Sequence, residues 1–146
     1  MRPTKAAYMM HMAYVAATRG TCDRKQVGCV IVDSTNHVLS TGYNGSPPGL
    51  DHCDEAGHHM HEGHCTRTIH AEQNAIGHAA RRGVSLDGAT AYTTIHPCMT
   101  CAKVLATAGV SKVIYDGAYR EGVDVVAEVL SGIEFEQYEG SRPWEK

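Results

Sequence analysis

The sequence predicts a single α/β domain built on a five-stranded mixed sheet. The chain has 146 residues, enough for one core of ordinary size and too few for a second. Apolar residues make up 42% of it, and runs typical of strands alternate with runs of helical spacing. Because helices commonly join parallel strands, the order α-β-β-α-β-α-β-α-β predicts a partly parallel sheet with helices on its faces.

The first half of the chain begins with a helix and a hairpin. Residues 4–18 place apolar side chains at helical spacing, and Gly20 ends that run. A run rich in β-branched residues at 27–32, a polar turn and a second run at 37–42 indicate two paired strands. Residues 43–69 contain Gly, Pro, His, Cys and acidic residues without a period, which predicts a long and therefore functional loop.

The second half alternates helices and strands. Residues 70–82 form an apolar face at helical spacing that ends at Gly83, which predicts a helix. Further elements are expected as a strand at 89–95, a helix at 98–108, a strand at 110–115, a helix at 123–130 and a strand at 133–138. Pro97 is a favoured residue at a helix start. Residues 139–146 are expected to be a C-terminal tail.

Composition and charge exclude several classes of protein. The net charge is −3 and charged residues make up 20%, so the chain is neither strongly basic nor of the disordered type. Aromatic residues are scarce at 6%, which argues against a nucleic-acid polymer as partner. The apolar runs are too short to cross a membrane, and the N-terminus lacks a signal-like apolar core. We therefore expect a cytoplasmic protein with no membrane partner.

The chain is rich in residues that bind metals, with ten histidines and six cysteines. Six of the histidines fall between residues 52 and 70. Without a signal sequence, thiols near clustered imidazoles indicate metal binding rather than disulfides. Cys29 is the exception, because its place inside a predicted strand is typical of a small buried apolar residue.

One group of these residues lies at the starts of two predicted helices. The motif HAE at 70–72 opens the first helix, and PCMTC at 97–101 opens the second. Cys98 and Cys101 are three residues apart, so both thiols lie on one side of a helix start, where the helix dipole favours the thiolate. With His70 as a third ligand, they are predicted to bind one zinc ion.

The number of ligands in this group predicts a catalytic metal. Three protein ligands leave the fourth tetrahedral position to water, and zinc lowers the pKa of that water to roughly 7. Glu72 need not bind the metal, so it is free to accept the water's proton and pass it to a substrate. The alternative is a structural Cys-Cys-His site with Glu72 as a solvated surface acid.

The arrangement H-x-E followed by P-C-x-x-C is the signature of the zinc nucleobase deaminases. The stretches HAEQNAI at 70–76 and PCMTCAK at 97–103 resemble the cytidine and deoxycytidylate (dCMP) deaminase superfamily. GYNGSP at 42–47, after a C-x-R-x-x-V-G segment at 22–28, resembles the dCMP deaminases of bacteria, phages and eukaryotes. The resemblance spans residues 5–138, so the 146 residues are interpreted as one deaminase-type domain.

The resemblance implies a cytidine-deaminase-like three-layer α/β/α fold and zinc-dependent hydrolysis of dCMP to dUMP and ammonia, which supplies dUMP for thymidylate synthesis. It also implies a homohexamer, activated by dCTP with magnesium and inhibited by dTTP, in the cytoplasm of a bacterium or a phage-infected host. Deamination of another cytosine nucleotide, a nucleoside or a 5-modified dCMP stays open. The charge argues against a polynucleotide deaminase, and Glu72 argues against a non-catalytic zinc module.

The resemblance also implies residues that bind substrate and effector. Asn44 is expected to contact the sugar or base of the substrate. Gly42, Tyr43 and Gly45 are expected to form part of the dCTP site. Considered alone, the Asn-Gly pair predicts only a turn.

A monophosphate substrate requires cations. Arg24, and Arg120 together with the preceding Tyr119, are the candidate substrate-binding residues, because a guanidinium offers paired N–H donors to phosphate. Considered alone, each arginine is a solvated surface residue. Lys25 and Lys103 are weaker candidates.

Three further cysteines, Cys22, Cys53 and Cys65, lie in predicted loops, and with a histidine they would form a closed Cys₃His site of structural type. The resemblance implies such a second zinc, which bacterial and phage dCMP deaminases often contain. His58 is favoured as the fourth ligand because related bacterial sequences have a cysteine at that point. The other candidates are His64 and then His52, His59 and His61. The alternative is a histidine-rich surface loop with unpaired thiols.

Overall fold

The computed structural model describes residues 1–117 and 123–145. Within them, the chain forms five helices, α1 (Lys5–Ala17), α2 (Cys53–Ala56), α3 (Ala71–Arg82), α4 (Met99–Thr107) and α5 (Val123–Val129). The strands are β1 (Gly28–Val32), β2 (Val38–Tyr43), β3 (Met60–His61), β4 (His64–Cys65), β5 (Thr90–Ile95), β6 (Lys112–Gly117) and β7 (Glu134–Gln137). None of these helices has the length and apolar character that a membrane span requires.

The main sheet has five strands in the order β2-β1-β5-β6-β7. Strand β1 is antiparallel to both β2 and β5, whereas β5, β6 and β7 are mutually parallel along the sheet. The predicted α/β class and mixed five-stranded sheet are therefore confirmed. Because β5 and β6 are parallel, their carboxyl ends meet at one edge, where Ile95 pairs with Gly117.

Helices cover both faces of the sheet, which confirms the three-layer architecture. Strand β1 is buried along its whole length, and its side chains alternate between the two faces. Cys29 and Ile31 pack with the alanines of α3 and with Leu105 of α4. On the other face, Val30 and Val32 pack with residues of α1 such as Met10.

Two glycines allow the helices to approach the sheet closely. A Cβ atom at Gly28 would collide with the backbone carbonyl of Ala13 in α1, and one at Gly42 with that of Ala71 in α3. Gly42 was predicted from the family resemblance as an effector residue. The structure shows a packing role for Gly42, because it lets α3 lie directly on β2.

Residues 43–69 are not the irregular loop that the sequence predicts. The segment contains the four-residue helix α2 and the hairpin of β3 and β4, whose turn at Glu62 and Gly63 has φ angles of 48° and 80°. Elements this short do not span enough residues to show a period. The predicted strand at 110–115 was also placed two residues early, because Val110 still closes the end of α4 through a bond to the Leu105 carbonyl (3.0 Å).

The predicted C-terminal tail packs against the domain through Arg142 and Trp144. Tyr138 is buried, and Trp144 packs edge-on against Tyr14 of α1 at 4.9 Å. The guanidinium of Arg142 donates two hydrogen bonds, of 3.0 and 2.7 Å, to the carboxylate of Asp116 at the end of β6. These contacts join residues far apart in sequence, so no local pattern indicates them.

The buried carboxylate of Asp116 is stabilised in its charged form. Burial alone would raise its pKa, but hydrogen bonds from Arg142 and Tyr14 outweigh burial and lower it. The pair therefore stabilises the fold above the ordinary aspartate pKa. That stabilisation is lost as the pH falls below that value and through the lowered pKa of the folded state.

We expect Arg142→Met to lower the free energy of unfolding, because Asp116 would stay buried without its cation. The loss is smaller than for a fully buried pair because the Arg142 side chain is 34% exposed. Urea denaturation at neutral pH measures it, with Arg19→Met, an exposed arginine after α1, as the matched control. Equal stability of both variants would show that the ion pair contributes nothing.

Candidate active site

Two helix N-termini beyond the carboxyl end of β5 bring His70, Cys98 and Cys101 together. His70 is the N-cap of α3, and Cys98 is the N-cap of α4. The Nδ1 atom of His70 lies 3.2 Å from Sγ of Cys101 and 3.6 Å from Sγ of Cys98. Ligand atoms around tetrahedral zinc lie roughly 3.6 Å apart, given bonds of about 2.0 Å to nitrogen and 2.3 Å to sulfur. The spacing and the donor atoms therefore fit zinc.

The two thiols of this group differ in their electrostatic setting. A hydrogen bond with Cys101 and one with His70 lower the pKa of Cys98 to about 4, although burial opposes the shift. The hydrogen bond with Cys98, burial and the nearby Glu72 all raise the pKa of Cys101. One sulfur of the pair is therefore a thiolate at neutral pH, which is the form that binds metal.

Glu72 lies in the first turn of α3 and is only 3% exposed. Burial raises its pKa, and the neighbouring His70 opposes part of that shift. A raised pKa makes a carboxylate a stronger proton acceptor than an ordinary one, which suits a group that transfers protons. Its position next to His70 suits proton transfer to a ligand bound beside the three metal-binding side chains.

A cavity of about 300 Å³ opens next to these residues. This volume is at the lower end of the range for small-molecule sites, about 300–1,000 Å³. The cavity brings together residues that the sequence analysis selected: Arg24, Lys25, Asn44, His64, His70, Glu72 and Cys98. Lys103 is exposed on α4 and does not line this cavity. Tyr119 and Arg120 lie outside the described residues.

A second group of possible metal ligands, here called the loop cluster, consists of Cys22, Cys53, His58 and Cys65. Their ligand atoms lie within 4.8 Å of one another. Sγ of Cys22 is 3.5 Å from Nδ1 of His58, and Sγ of Cys53 is 3.4 Å from Sγ of Cys65. Three thiols and an imidazole at this spacing fit a closed tetrahedral zinc site.

The charges in the loop cluster also favour a metal. Burial alone would raise the pKa of Cys65, but backbone hydrogen bonds from Arg67 and His59 help to lower it to about 6. Burial and the thiol of Cys65 raise the pKa of Cys53 to about 12. Cys65 is therefore a thiolate at neutral pH before any metal binds.

The other candidate histidines have different surroundings. Nδ1 of His52 lies 3.0 Å from the Thr21 hydroxyl and accepts from the Ser46 N–H at 3.2 Å. His59 contacts the Thr66 hydroxyl, and His61 is exposed beside Glu62. His64 lines the cavity instead. Of the candidate histidines, the structure therefore places His58, which the sequence analysis preferred, beside the three cysteines.

A family model for the zinc-binding region of cytidine and deoxycytidylate deaminases matches residues 3–116 of the chain. This chain belongs to that family. The match covers the segment before β1, both helix starts of the three-residue group and the whole loop cluster. The zinc-binding character of the region agrees with the ligand sets described above.

Several relatives support this assignment. The deoxycytidylate deaminase of Enterobacteria phage T2 is 33% identical, over 79% of this chain and 81% of its own. The structure of dCMP deaminase from cyanophage S-TIM5 in complex with dCMP and dUMP is 33% identical with a TM-score of 0.79. That similarity covers 94% of this chain and 99% of the other.

Cellular relatives are longer than this family member. ComE operon protein 2 of Bacillus subtilis is 42% identical over 77% of this chain, which spans 59% of that protein. The chain spans 40% of the deoxycytidylate deaminase of Saccharomyces cerevisiae and 45% of that of Schizosaccharomyces pombe.

In this member of the family, the side-chain amide of Asn44 is bonded to the backbone of the segment that precedes β1. Its Oδ1 accepts from the N–H of Val27 (2.7 Å), and its Nδ2 donates to the carbonyl of Lys25 (2.6 Å). After the hydrogen bonds to the described residues are counted, one lone pair and one N–H of the amide are left for a ligand. Asn44 therefore shapes the cavity wall in addition to any contact it makes with substrate.

A second cavity of this chain, here called the basic groove, has a volume of about 640 Å³. Gly42 and Tyr43 line it, as do three cationic or titratable residues of α3: His78, Arg81 and Arg82. Gly45 does not line the groove; it forms a β-bridge with Ile69 instead. Gly42 and Tyr43, two of the three predicted effector residues, thus line the basic groove. The third, Gly45, lies close to them in sequence.

Sequence reasoning missed two residues that organise these cavities. Asn74 is buried, and its Nδ2 donates to the carbonyls of Tyr43 (2.7 Å) and Gly45 (3.3 Å), so it joins α3 to the basic groove. His96 is 2% exposed, and its Nδ1 donates to the carbonyl of Pro97 at 2.8 Å, just before Cys98. A polar residue inside an otherwise apolar helix face was a usable signal for Asn74, whereas His96 had none.

Proposed function

We propose that this chain is a zinc-dependent deaminase that hydrolyses dCMP to dUMP and ammonia, and so supplies dUMP for thymidylate synthesis. The main support is the buried Glu72 carboxyl beside His70, Cys98 and Cys101 at one small cavity. Further support is that the cyanophage relative binds dCMP and dUMP and that the phage T2 and T4 relatives are deoxycytidylate deaminases.

The proposed reaction replaces the exocyclic amine at C4 of cytosine with oxygen. His70, Cys98 and Cys101 would hold a zinc ion, which would lower the pKa of the water molecule whose oxygen adds to C4. Glu72 accepts a proton from the water and gives it to ring nitrogen N3. Glu72 then moves the second water proton to the amine, which leaves as ammonia while the C4 carbonyl forms.

The rest of the cavity suits the sugar and phosphate of dCMP. Asn44 has one free donor and one free acceptor position for the sugar, as its contacts show. Arg24 is exposed at the cavity, where its guanidinium can bind the 5′-phosphate. Tyr119 and Arg120 remain candidate substrate residues by resemblance.

We also propose that the loop cluster holds a second, structural zinc. Residues 54–64 are all exposed, so this segment lacks an apolar core that would order it. A metal bound by Cys22, Cys53, His58 and Cys65 would join three separate segments of the chain and stabilise their arrangement.

We propose that dCTP with magnesium activates the enzyme at the basic groove and that dTTP inhibits it there. A triphosphate is strongly anionic, and Arg81 and Arg82 supply positive charge beside Gly42 and Tyr43. Asn74 connects the groove to α3, the helix that also bears Glu72. An effector in the groove can therefore act on the active site through this helix.

We also propose that the protein is a homohexamer in the cytoplasm of a bacterium or a phage-infected host. The exposed side chains of Tyr8 (53%) and Val15 (66%) lie two turns apart on α1, where they can contribute to subunit contacts.

For the Glu72→Gln variant, we expect kcat with dCMP to fall by about 10²–10⁴, because the amide cannot transfer the proton. Bound zinc should stay at the wild-type level, since Glu72 is not among the three ligands. Glu128→Gln, an exposed glutamate on α5, is the control. Wild-type turnover of deoxycytidine that exceeds turnover of dCMP would contradict the proposed substrate.

Metal analysis of the wild-type protein should give two zinc ions per chain. Cys98→Ser and Cys53→Ser should each remove one of them, since each variant deletes a ligand of a different group. Cys29→Ala, which changes a buried cysteine outside both groups, should keep both ions. A wild-type content of one ion that only Cys98→Ser removes would leave the loop cluster without a metal.

Removing positive charge from the basic groove should weaken activation. We expect Arg81→Ala/Arg82→Ala to need about tenfold or more dCTP for half-maximal activation, because charge-assisted phosphate contacts are lost. The measurement is the ratio of dCMP turnover with and without dCTP and magnesium, with Arg19→Ala as control. A dCTP dependence equal to wild type would place the effector elsewhere.

A further inference from the structure

Arg24 lies between two segments that both contain residues of the loop cluster. Cys22 is two residues ahead of it in the chain. The Nη1 atom of Arg24 lies 3.2 Å from Sδ of Met60, and its Nη2 atom lies 3.5 Å from the carbonyl oxygen of Gly63. Met60 and Gly63 belong to the β3–β4 hairpin, whose second strand ends at Cys65. The guanidinium therefore rests on a hairpin that the cluster itself anchors.

The hairpin itself is short and largely exposed. Each of its strands has two residues, and Met60 is 45% exposed. Isolated two-stranded hairpins of this kind are marginal in water. By contrast, Cys22 and Cys53 are 4% and 7% exposed, so the buried part of this region is the cluster. The position of Arg24 thus depends on whether the cluster is intact.

Arg24 has the free binding capacity of a phosphate ligand. Of its five N–H donors, two make the contacts to the hairpin. Among the residues that the structure describes, none of the ion pairs involves Arg24. The cavity also reaches from Arg24 and Gly63 to Glu72, which matches a nucleotide whose base lies at Glu72 and whose phosphate lies at the hairpin.

We infer that the metal-loaded loop cluster positions Arg24 for the 5′-phosphate and so makes the site prefer a nucleoside monophosphate over the nucleoside. This inference rests on the proposed dCMP deaminase function. It assigns to the cluster an effect on substrate selection in addition to stability. Arg24 is the binding residue, and the cluster is the positioning element that acts through it.

Binding of the reaction product tests this inference without turnover. Isothermal titration of the zinc-loaded protein with dUMP and with deoxyuridine gives two affinities, whose ratio measures phosphate recognition. We expect Arg24→Ala to weaken dUMP binding by about tenfold to a hundredfold, because a charged hydrogen-bonding partner is lost, and to leave deoxyuridine binding near wild type. Arg19→Ala is the matched control.

The same pattern is expected when the cluster is opened. Cys53→Ser should retain the zinc at His70, Cys98 and Cys101, bind deoxyuridine as wild type does, and bind dUMP about tenfold more weakly. In Cys53→Ser/Arg24→Ala, dUMP binding should be no weaker than in Arg24→Ala, because both changes remove one interaction. Met60→Leu keeps every cluster residue but removes the sulfur that contacts Arg24. It should also lower the ratio of dUMP affinity to deoxyuridine affinity. This variant tests the inference even if Cys53→Ser does not fold.

Three results would overturn the inference. Equal weakening of dUMP and deoxyuridine binding in Cys53→Ser would mean that the cluster only supports the fold. Additive losses in the double variant would mean that the cluster does not act through Arg24. A wild-type protein with bound zinc that binds neither compound would overturn the proposed function itself, and this inference with it.

Discussion

The geometry of the active site depends on one backbone constraint, which is that α3 and α4 start at the same place beyond the sheet. His70 and Cys98 are the N-caps of these helices, with extended ψ angles of 155° and 166°. The parallel pairing of β5 and β6 continues past Ile95, because the N–H of His96 donates to the Gly117 carbonyl at 2.6 Å. Since both helices pack on the sheet, the distances among the three ligand atoms follow from the fold.

This constraint explains why so much of the active site could be predicted from the sequence. His70 and Glu72 are two residues apart, and Cys98 and Cys101 are three apart, so each pair has a fixed geometry at a helix start. The periodicity of the long elements likewise predicted the α/β class and the mixed sheet, whereas the three-layer fold was implied by the family resemblance. In the loop cluster, the three cysteines were recognisable because thiols in loops are unusual, and His58 was selected by resemblance rather than by spacing.

The remaining features depend on contacts that leave no local pattern. Arg142 and Asp116 are 26 residues apart, and the tail that contains Arg142 is polar and without a period. The hairpin of β3 and β4 is too short to show strand alternation. Arg81 and Arg82 look like solvated charges at a helix end, and only the packing of α3 on β2 at Gly42 brings them to a cavity. Tertiary structure gives these residues their roles.

His70 and Cys98 are helix N-caps and also candidate metal ligands, and this double role affects how the chain would bind metals. The three ligands at the helix starts are already gathered when the core has folded, because α3 and α4 bury Ala75 and Leu105 against the sheet. The four ligands of the loop cluster come from separate segments that lack such packing. If zinc binds at both groups, as proposed, the group at the helix starts would be a preformed receptor, whereas the loop cluster would assemble around its ion.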